Sequence, residues 1–310
     1  MRKSLFGLFK KLEIKKMKNI LVITGGAGFV GSNLIKFLLI KTKFNIISLD
    51  NYSSGSKLNH VNSKRVKYIK SNTKFISKIL KKYEKKIHTL FHFGEFARIY
   101  QSFKKFDECF DSNSIASKAV FNFCLKNKIK LVYSATSASL GNFGNDKNLS
   151  PYAFTKAKNI ELLENLKKWF NLKFEIIYFY NVYGSGQICK GDMGNRNRYF
   201  ENLYKQNKYL TVVKPGTQTR RFTHIDDTIE AVYFAWKKNK NRHYSISNKK
   251  SYSIIKVAKL FTNKIKFLPK RKGERYASAL SDMNLSNKVY KLFGKKDLIS
   301  YINNFKKSIF

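Results

Sequence analysis

Thr24-Gly25-Gly26-Ala27-Gly28-Phe29-Val30-Gly31 decides the fold of this 310-residue chain. The preceding run, Ile20-Leu21-Val22-Ile23, is short and rich in β-branched residues and reads as a buried strand, while Leu34 to Ile40 beyond has helical character. The glycines at 25, 28 and 31 let the backbone turn sharply and approach a pyrophosphate, whose charge is favoured by the N-terminus of the helix that Phe29 and Val30 open. A glycine triplet alone is a weak signal, and its context strengthens it. Asn45-Ile46-Ile47-Ser48-Leu49 reads as the next strand, and Asp50 ends it nineteen positions beyond Gly31. A carboxylate there can accept hydrogen bonds from both hydroxyls of an adenosine ribose and repels a 2′-phosphate, which points to NAD over NADP.

Outward from this unit, strands expected over Val66–Ile69, Thr89–Phe93, Leu131–Ser134 and Phe174–Phe179 alternate with helical segments. Such β/α alternation predicts an α/β fold, a Rossmann doubly wound parallel sheet. Beyond Gly184 the pattern loosens into polar, Gly-containing sequence that suits a smaller C-terminal substrate-binding lobe. The expected organisation is a basic extension over 1–16, an NAD-binding domain over 17–180 and a lobe that is mainly 181–310, with part of 222–250 returning to the first domain.

A second constellation is Tyr152-Ala153-Phe154-Thr155-Lys156, with Thr136 upstream. A Tyr and a Lys four apart share one helix face. There the ammonium would lower the phenol pKa from about 10 toward working pH and make the phenolate a usable base, with a strand-end hydroxyl sharing the substrate proton. The plainer alternative is a surface aromatic beside a solvated lysine, which the dinucleotide turn upstream disfavours.

Composition bounds the rest. Against 62 Lys+Arg stand 19 Asp+Glu, a formal net charge of +43, yet only ten of the cations are Arg. Abundant Lys, Asn, Ile and Phe is the signature an AT-rich genome imposes on any protein, so the charge predicts salt-dependent attraction to polyanions and says nothing of the fold. No ribonucleoprotein signature or Cys/His finger spacing accompanies it, so no specific nucleic acid partner is expected. No segment approaches the roughly 18 apolar residues of a membrane span. Cys109, Cys124 and Cys189 are odd in number and have spacings unlike metal ligands, which fits free thiols in a cytoplasmic protein with no metal site. Leu5, Leu8, Phe9 and Leu12 lie at helical spacing among lysines, a pattern that could touch an anionic membrane surface weakly. The plainer reading is a disordered tail or an upstream start, since Met17-Lys18-Asn19-Ile20 looks like an ordinary beginning.

The chain resembles the extended short-chain dehydrogenase/reductase family in its nucleotide-sugar epimerase/dehydratase branch. The resemblance runs from Lys18 nearly to the C-terminus. It rests on the glycine turn, Leu49-Asp50-Asn51-Tyr52-Ser53-Ser54-Gly55, Phe91-His92-Phe93-Gly94, Ser134 to Gly141, Pro151-Tyr152 with Lys156, and Tyr180-Asn181-Val182-Tyr183-Gly184. It implies NAD as cofactor, a nucleotide-sugar substrate and a homodimer built through a four-helix interface. It implies that Tyr152 is the catalytic base, that Lys156 reaches the nicotinamide ribose, and that Thr136 orients substrate O4. Asn51, Phe93, Gly94 and Asn113 would join the cofactor site, Asn113 in a softened copy of the family's Asn-x-x-Gly-Thr motif. Asn181, Arg220 and Arg271 would hold the sugar diphosphate, the arginines as planar forks. Ser278 stands where relatives restricted to plain hexoses carry tyrosine, which implies room for an N-acetyl group. Asn72, Tyr178 and Ser185-Gly186 depart from the branch pattern.

Dehydratases of the branch place an Asp-Glu pair directly after the catalytic Ser/Thr; here Ser137-Ala138 follow Thr136. Neither can act as acid or base. The expected reaction is epimerisation through a transient 4-keto sugar, on a UDP-hexose or UDP-N-acetylhexosamine. A reductase, a decarboxylase, a nucleotide-heptose 6-epimerase and a non-catalytic NAD-binding protein are the alternatives.

Overall fold

The computed structural model describes residues 18–140, 147–187, 196–273, 293 and 295–309. The N-terminal extension, Cys189 and Ser278 lie outside them. Seven parallel strands form the central sheet: β1 (Ile20–Thr24), β2 (Asn45–Asp50), β3 (Val66–Lys70), β4 (Ile87–His92), β5 (Lys130–Thr136), β6 (Phe174–Phe179) and, arriving late in sequence, β10 (His243–Ile246). Their order is β10-β6-β5-β4-β1-β2-β3. The chain runs outward from β1 through β2 to β3 and then returns to β4 on the other side of β1. That reversal opens a crevice at the C-terminal ends of β1 and β4, where such sheets bind ligands.

The inner strands are apolar on both sides because helices cover both faces. On one face α2 (Ser117–Lys126) and α3 (Pro151–Phe170) pack Val120, Phe121 and Leu163 against Leu90, Leu131 and Ile176. On the other, α1 (Phe29–Lys41) and α4 (Ile225–Lys238) pack Leu34, Ile35, Ile229 and Val232 against Leu21, Ile23, Phe91 and Val132. Arg65 closes the C-terminal end of α1 by donating to Thr42 O (2.7 Å) and to Leu39 O, as a cation at a helix C-terminus favours. Edge strand β10 is fixed by a wholly buried carboxylate. Glu175 accepts from Lys130 Nζ (2.8 Å) and from the backbone N–H groups of Asn241 and Arg242 (3.0 Å each).

A third apolar cluster, with Phe200, Leu210, Phe222, Tyr252, Phe261 and Leu298, forms a separate core. It gathers α5 (Ile254–Phe261) and α6 (Leu298–Lys307) around two small sheets, β11 (Ser251–Ser253) with β9 (Thr219–His224) and β7 (Asn181–Tyr183), and β12 (Ile265–Leu268) with β8 (Leu210–Val213). Strand β4 ends at His92, one residue short of the sequence expectation. The Phe93 N–H is shared between Thr24 O (3.3 Å) and Thr24 Oγ1 (3.1 Å), and the Gly94 N–H donates to Thr24 Oγ1 (3.0 Å), so the chain turns there. Helix α1 begins at Phe29, directly after the glycine turn as expected, and runs through the helical stretch Leu34 to Ile40 as far as Lys41. Among the described residues no helix is long and apolar enough to cross a membrane.

Candidate active site

Gly25 follows β1 with φ +71°, and a Cβ there would lie 2.8 Å from the Gly94 backbone, so the turns after β1 and β4 press directly together. Gly31 meets the same turn from α1, where a Cβ would stand 2.2 Å from Gly25 O. Gly28 is the N-cap of α1 and offers no side-chain cap. The helix therefore presents free N–H groups and a positive end to the crevice, where an anion belongs. Asp50 closes the far side. Its Oδ2 accepts from Ala27 N (2.9 Å) and its Oδ1 from Tyr52 N (2.8 Å), and burial raises its pKa more than these bonds lower it. Gly25, Gly28, Asp50, Asn51, Asn72, Phe93, Gly94 and Glu95 line one continuous cleft. A cradle that any Cβ would fill, an uncapped helix N-terminus and a carboxylate at the ribose position fit a dinucleotide such as NAD.

Ser150 and Pro151 start α3: the Ser150 Oγ accepts from Ala153 N (3.1 Å), and proline at the first helical turn needs no donor. This cap points Tyr152 toward the end of β5, where its phenol hydrogen-bonds with the Thr136 side chain. Burial pushes the phenol up to about 12, against the lowering pull of Thr136. The Glu95 charge raises it further and the Arg98 charge lowers it. Lys156, one turn on, donates to Ser134 O (2.6 Å) and to Glu95 Oε2. The ammonium one helical turn from the tyrosine thus also has a carboxylate partner.

Glu95 is the functional residue that sequence reading missed. Its side chain is 1% exposed, and besides Lys156 it accepts at Oε1 from Ser117 Oγ (2.8 Å), Tyr133 OH (3.0 Å) and Asn159 Nδ2 (3.1 Å). The network continues to the glycine turn. Ser117 gives its one proton to Glu95, so His92 must donate to it from Nε2 (3.0 Å) and accept from Thr24 Oγ1 at Nδ1 (2.7 Å). Burial holds His92 neutral, its pKa lowered to about 4. The available signal was a lone acidic residue in Phe91-His92-Phe93-Gly94-Glu95-Phe96, immediately past a buried strand.

The other expected residues fall in different places. Asn113 is wholly buried in a π-helical turn over 111–116. It bonds Phe96 N (2.7 Å), Phe96 O (3.0 Å) and Thr155 Oγ1 (3.2 Å), so it holds the Glu95 loop in place, while its neighbour Ser112 lines the cleft. Phe29 and Val30 form the first turn of α1, and the Asn51 Oδ1 accepts from Ser53 N (3.0 Å). Asn181 opens β7 and donates to Arg221 O (3.2 Å); Arg220 sits on β9 with Nη1 on Thr219 O (2.8 Å). Arg271 lies 5.0 Å over the Tyr100 ring. Of the departing positions, Asn72 caps a short turn through Lys74 N (2.9 Å), and Tyr178 bonds His243 Nδ1 (2.9 Å) inside the sheet. The thiols of Cys109 and Cys124 are free, buried and pushed up by burial.

A parallel sheet with a dinucleotide cleft at its reversal point, and a Tyr, Lys and Thr beside it, defines a protein of the extended short-chain dehydrogenase/reductase class. More narrowly, the chain belongs to the NAD dependent epimerase/dehydratase family, whose model matches residues 21–247. An ADP-L-glycero-D-manno-heptose-6-epimerase of Brachyspira hyodysenteriae is 27% identical over 259 residues, 77% of this chain and 79% of that protein. A putative UDP-glucose 4-epimerase of Methanocaldococcus jannaschii is 25% identical over 286 residues, 88% and 89% of the two chains. The solved UDP-glucose 4-epimerase of Thermus thermophilus, in complex with NAD, superposes with a TM-score of 0.80 at 20% identity and covers 93% of this chain and 99% of that one. NAD is the cofactor of this family, and the cleft fits it.

Proposed function

We propose that the protein is an NAD-dependent nucleotide-sugar epimerase that inverts C4 of a UDP-hexose or UDP-N-acetylhexosamine. The observation that carries this reading is the hydroxyl pair of Thr136 and Tyr152 at the C-terminal end of β5, beside the dinucleotide cleft. When bound, NAD supplies a reversible hydride acceptor at the sugar carbon. Tyr152 takes the C4 hydroxyl proton and returns it, and Thr136 holds that oxygen in line. Ser137 and Ala138 bring no acid or base next to Thr136, which supports epimerisation over elimination of water. Asn181, Arg220 and Arg271 serve the sugar diphosphate, and serine at position 278, where relatives restricted to plain hexoses carry tyrosine, favours an N-acetylated sugar.

The homodimer expected from the resemblance would form on the outer face of α3 and the helix Phe106–Phe110 before it. Phe106 is 51% exposed and Phe154 37% exposed there, with Phe110 between them. The second reading is a nucleotide-heptose 6-epimerase, favoured by the Brachyspira relative. Incubating the protein with UDP-, GDP-, dTDP- and ADP-sugars without added NADH, read by anomeric-proton NMR, tests both. Exchange between C4 epimers of a UDP-hexose supports the first reading, and exchange only in an ADP-heptose replaces it by the second.

A further inference from the structure

The seven parallel strands of the central sheet all begin on one rim, the end opposite the cleft, and every one is entered past a lysine. Lys18 precedes β1, Lys43 β2, Lys64 β3, Lys86 β4, Lys128 β5, Lys173 β6 and Lys240 β10, each within three residues of its strand. With neighbouring strands about 4.8 Å apart, these lysines follow an edge of about 30 Å. Acids are scarce along it. In the described segments that lead into the strands, 18–19, 42–44, 61–65, 81–86, 127–129, 171–173 and 239–242, Glu84 is the one carboxylate, and the buried Glu175 of β6 is bonded to Lys130 and to backbone N–H groups. The resulting field reaches His88 of β4, whose pKa is lowered first by desolvation and then by the charges of Lys18, Lys130 and Lys237.

Large apolar side chains stand exposed among these charges. Helix α3 ends in Trp169 and Phe170, 63% and 59% exposed, their ring centroids 6.2 Å apart and edge to face, with Lys168 before them and Lys173 after. On the other side of the sheet Ile40 is 80% exposed at the C-terminal end of α1. The two loops that enter β5 and β6 meet where Leu131 N donates to Lys173 O (3.0 Å), and Lys126, the last residue of α2, stands two positions before Lys128. A lysine-rich composition and the preference of helix C-termini for cations account for charge at this rim. Neither accounts for large apolar groups left in water beside it. Exposed Trp and Phe among lysines are the chemistry of a membrane interface, where rings enter the headgroup layer and cations meet anionic lipid. The basic extension over 1–16, with Leu5, Leu8, Phe9 and Leu12 at helical spacing, leads to Lys18 and so joins the fold on this same rim.

We propose that this rim docks the protein on an anionic membrane surface, with Trp169, Phe170 and Ile40 entering the headgroup layer and the strand-entry lysines facing the lipid phosphates. The cleft lies at the opposite ends of β1 and β4. The second lobe is attached at those ends too, through β7, which follows β6, and through β9, which runs into α4. A membrane against the rim therefore leaves the cleft open to water. The docking stands apart from the function proposed above, since it holds whichever sugar the cleft takes.

Trp169 makes the contact readable, because the other tryptophan of the chain, Trp236, is buried. The full-length protein is mixed with vesicles of phosphatidylcholine, alone or with about one-third phosphatidylglycerol, at low and high salt. Co-sedimentation and tryptophan emission are read, with Trp169→Phe as the blank. Binding is expected only to the anionic vesicles, weaker at high salt, with the Trp169 emission moving to shorter wavelength. Trp169→Ser combined with Phe170→Ser should lower the partition coefficient by about tenfold or more. Lys126→Gln, Lys128→Gln, Lys168→Gln and Lys173→Gln together should lower it by about 10²-fold. The same exchange at Lys208, Lys259, Lys264 and Lys266, exposed on the second lobe, should lower it by less than about threefold. An equal fall in the two lysine sets would assign the attraction to bulk charge and overturn the proposal. Vesicle binding that leaves the Trp169 emission unmoved would do the same, as would no binding to either vesicle. An emission shift with a single-stranded oligonucleotide and none with vesicles would make nucleic acid the partner in place of a membrane.

Discussion

Asp50→Asn isolates the residue that joins the glycine turn to cofactor choice. Each carboxylate oxygen of Asp50 accepts one backbone N–H, Ala27 at 2.9 Å and Tyr52 at 2.8 Å. An amide has a single acceptor, so one of these buried N–H groups would face an NH2. Losing a hydrogen bond to a charged acceptor costs about 1.5–3 kcal/mol, and an unsatisfied donor is no cheaper. Against this, the amide escapes the desolvation that raises the carboxyl pKa above 3.8. The lost bond outweighs that relief at neutral pH, and a net destabilisation of about 1–2 kcal/mol is expected. A raised carboxyl pKa means that the folded state holds the proton more tightly than the unfolded chain. The contribution of this group to stability is therefore full below 3.8 and falls as pH climbs through the folded value, and the Asn variant lacks that slope. For cofactor binding, one acceptor would remain where the ribose diol meets two, so NAD affinity should drop by about tenfold, or 1.4 kcal/mol. Affinity for NADP should drop less, because the repulsion of its 2′-phosphate is gone. Calorimetric titration with both cofactors, paired with thermal melts across acidic pH, reads all three effects. An unchanged NAD-to-NADP ratio would refute the assignment of Asp50.

Three further outcomes are expected. Gly31→Ala would place a methyl 2.2 Å from Gly25 O and 2.8 Å from Gly26 Cα, both backbone atoms; displacing the turn should cost about 1–3 kcal/mol and weaken NAD binding in parallel, as melts and titrations would show. His92, neutral with its pKa lowered to about 4, contributes stability above 6.5 that is lost as pH falls through 4, and His92→Gln should flatten the stability curve over that window in chemical denaturation at several pH values. Ser278→Tyr should abolish turnover of a UDP-N-acetylhexosamine and spare the plain UDP-hexose; equal loss of both in kcat/KM would remove Ser278 from the pocket.

The sheet was legible because its inner strands are covered on both faces and read as unbroken apolar runs, punctuated by a glycine turn that only one backbone path allows. Thr136, Tyr152 and Lys156 were legible because helix periodicity and the end of a strand bring them together locally. Glu95 was not, since its partners at 117, 133, 156 and 159 lie 22 to 64 positions away and meet it only through the parallel topology. The sequence placed Lys156 one helical turn from Tyr152, and the fold adds a carboxylate partner for its ammonium that no local pattern shows. The strands of the second lobe were missed for a different reason. Asn181–Tyr183 and Ser251–Ser253 are three residues long, too short to show a period of two.

The most direct measurement compares the parent with Tyr152→Phe on the nucleotide-sugar panel under NAD, by anomeric-proton NMR, with NAD affinity measured alongside. The parent is expected to equilibrate a UDP-hexose with its C4 epimer. The variant, which loses one proton acceptor and almost no surface, should be slower by about 10²-fold or more while binding NAD nearly as well. Turnover by the variant at a rate near that of the parent, or a parent that interconverts no pair of C4 epimers, would contradict the account.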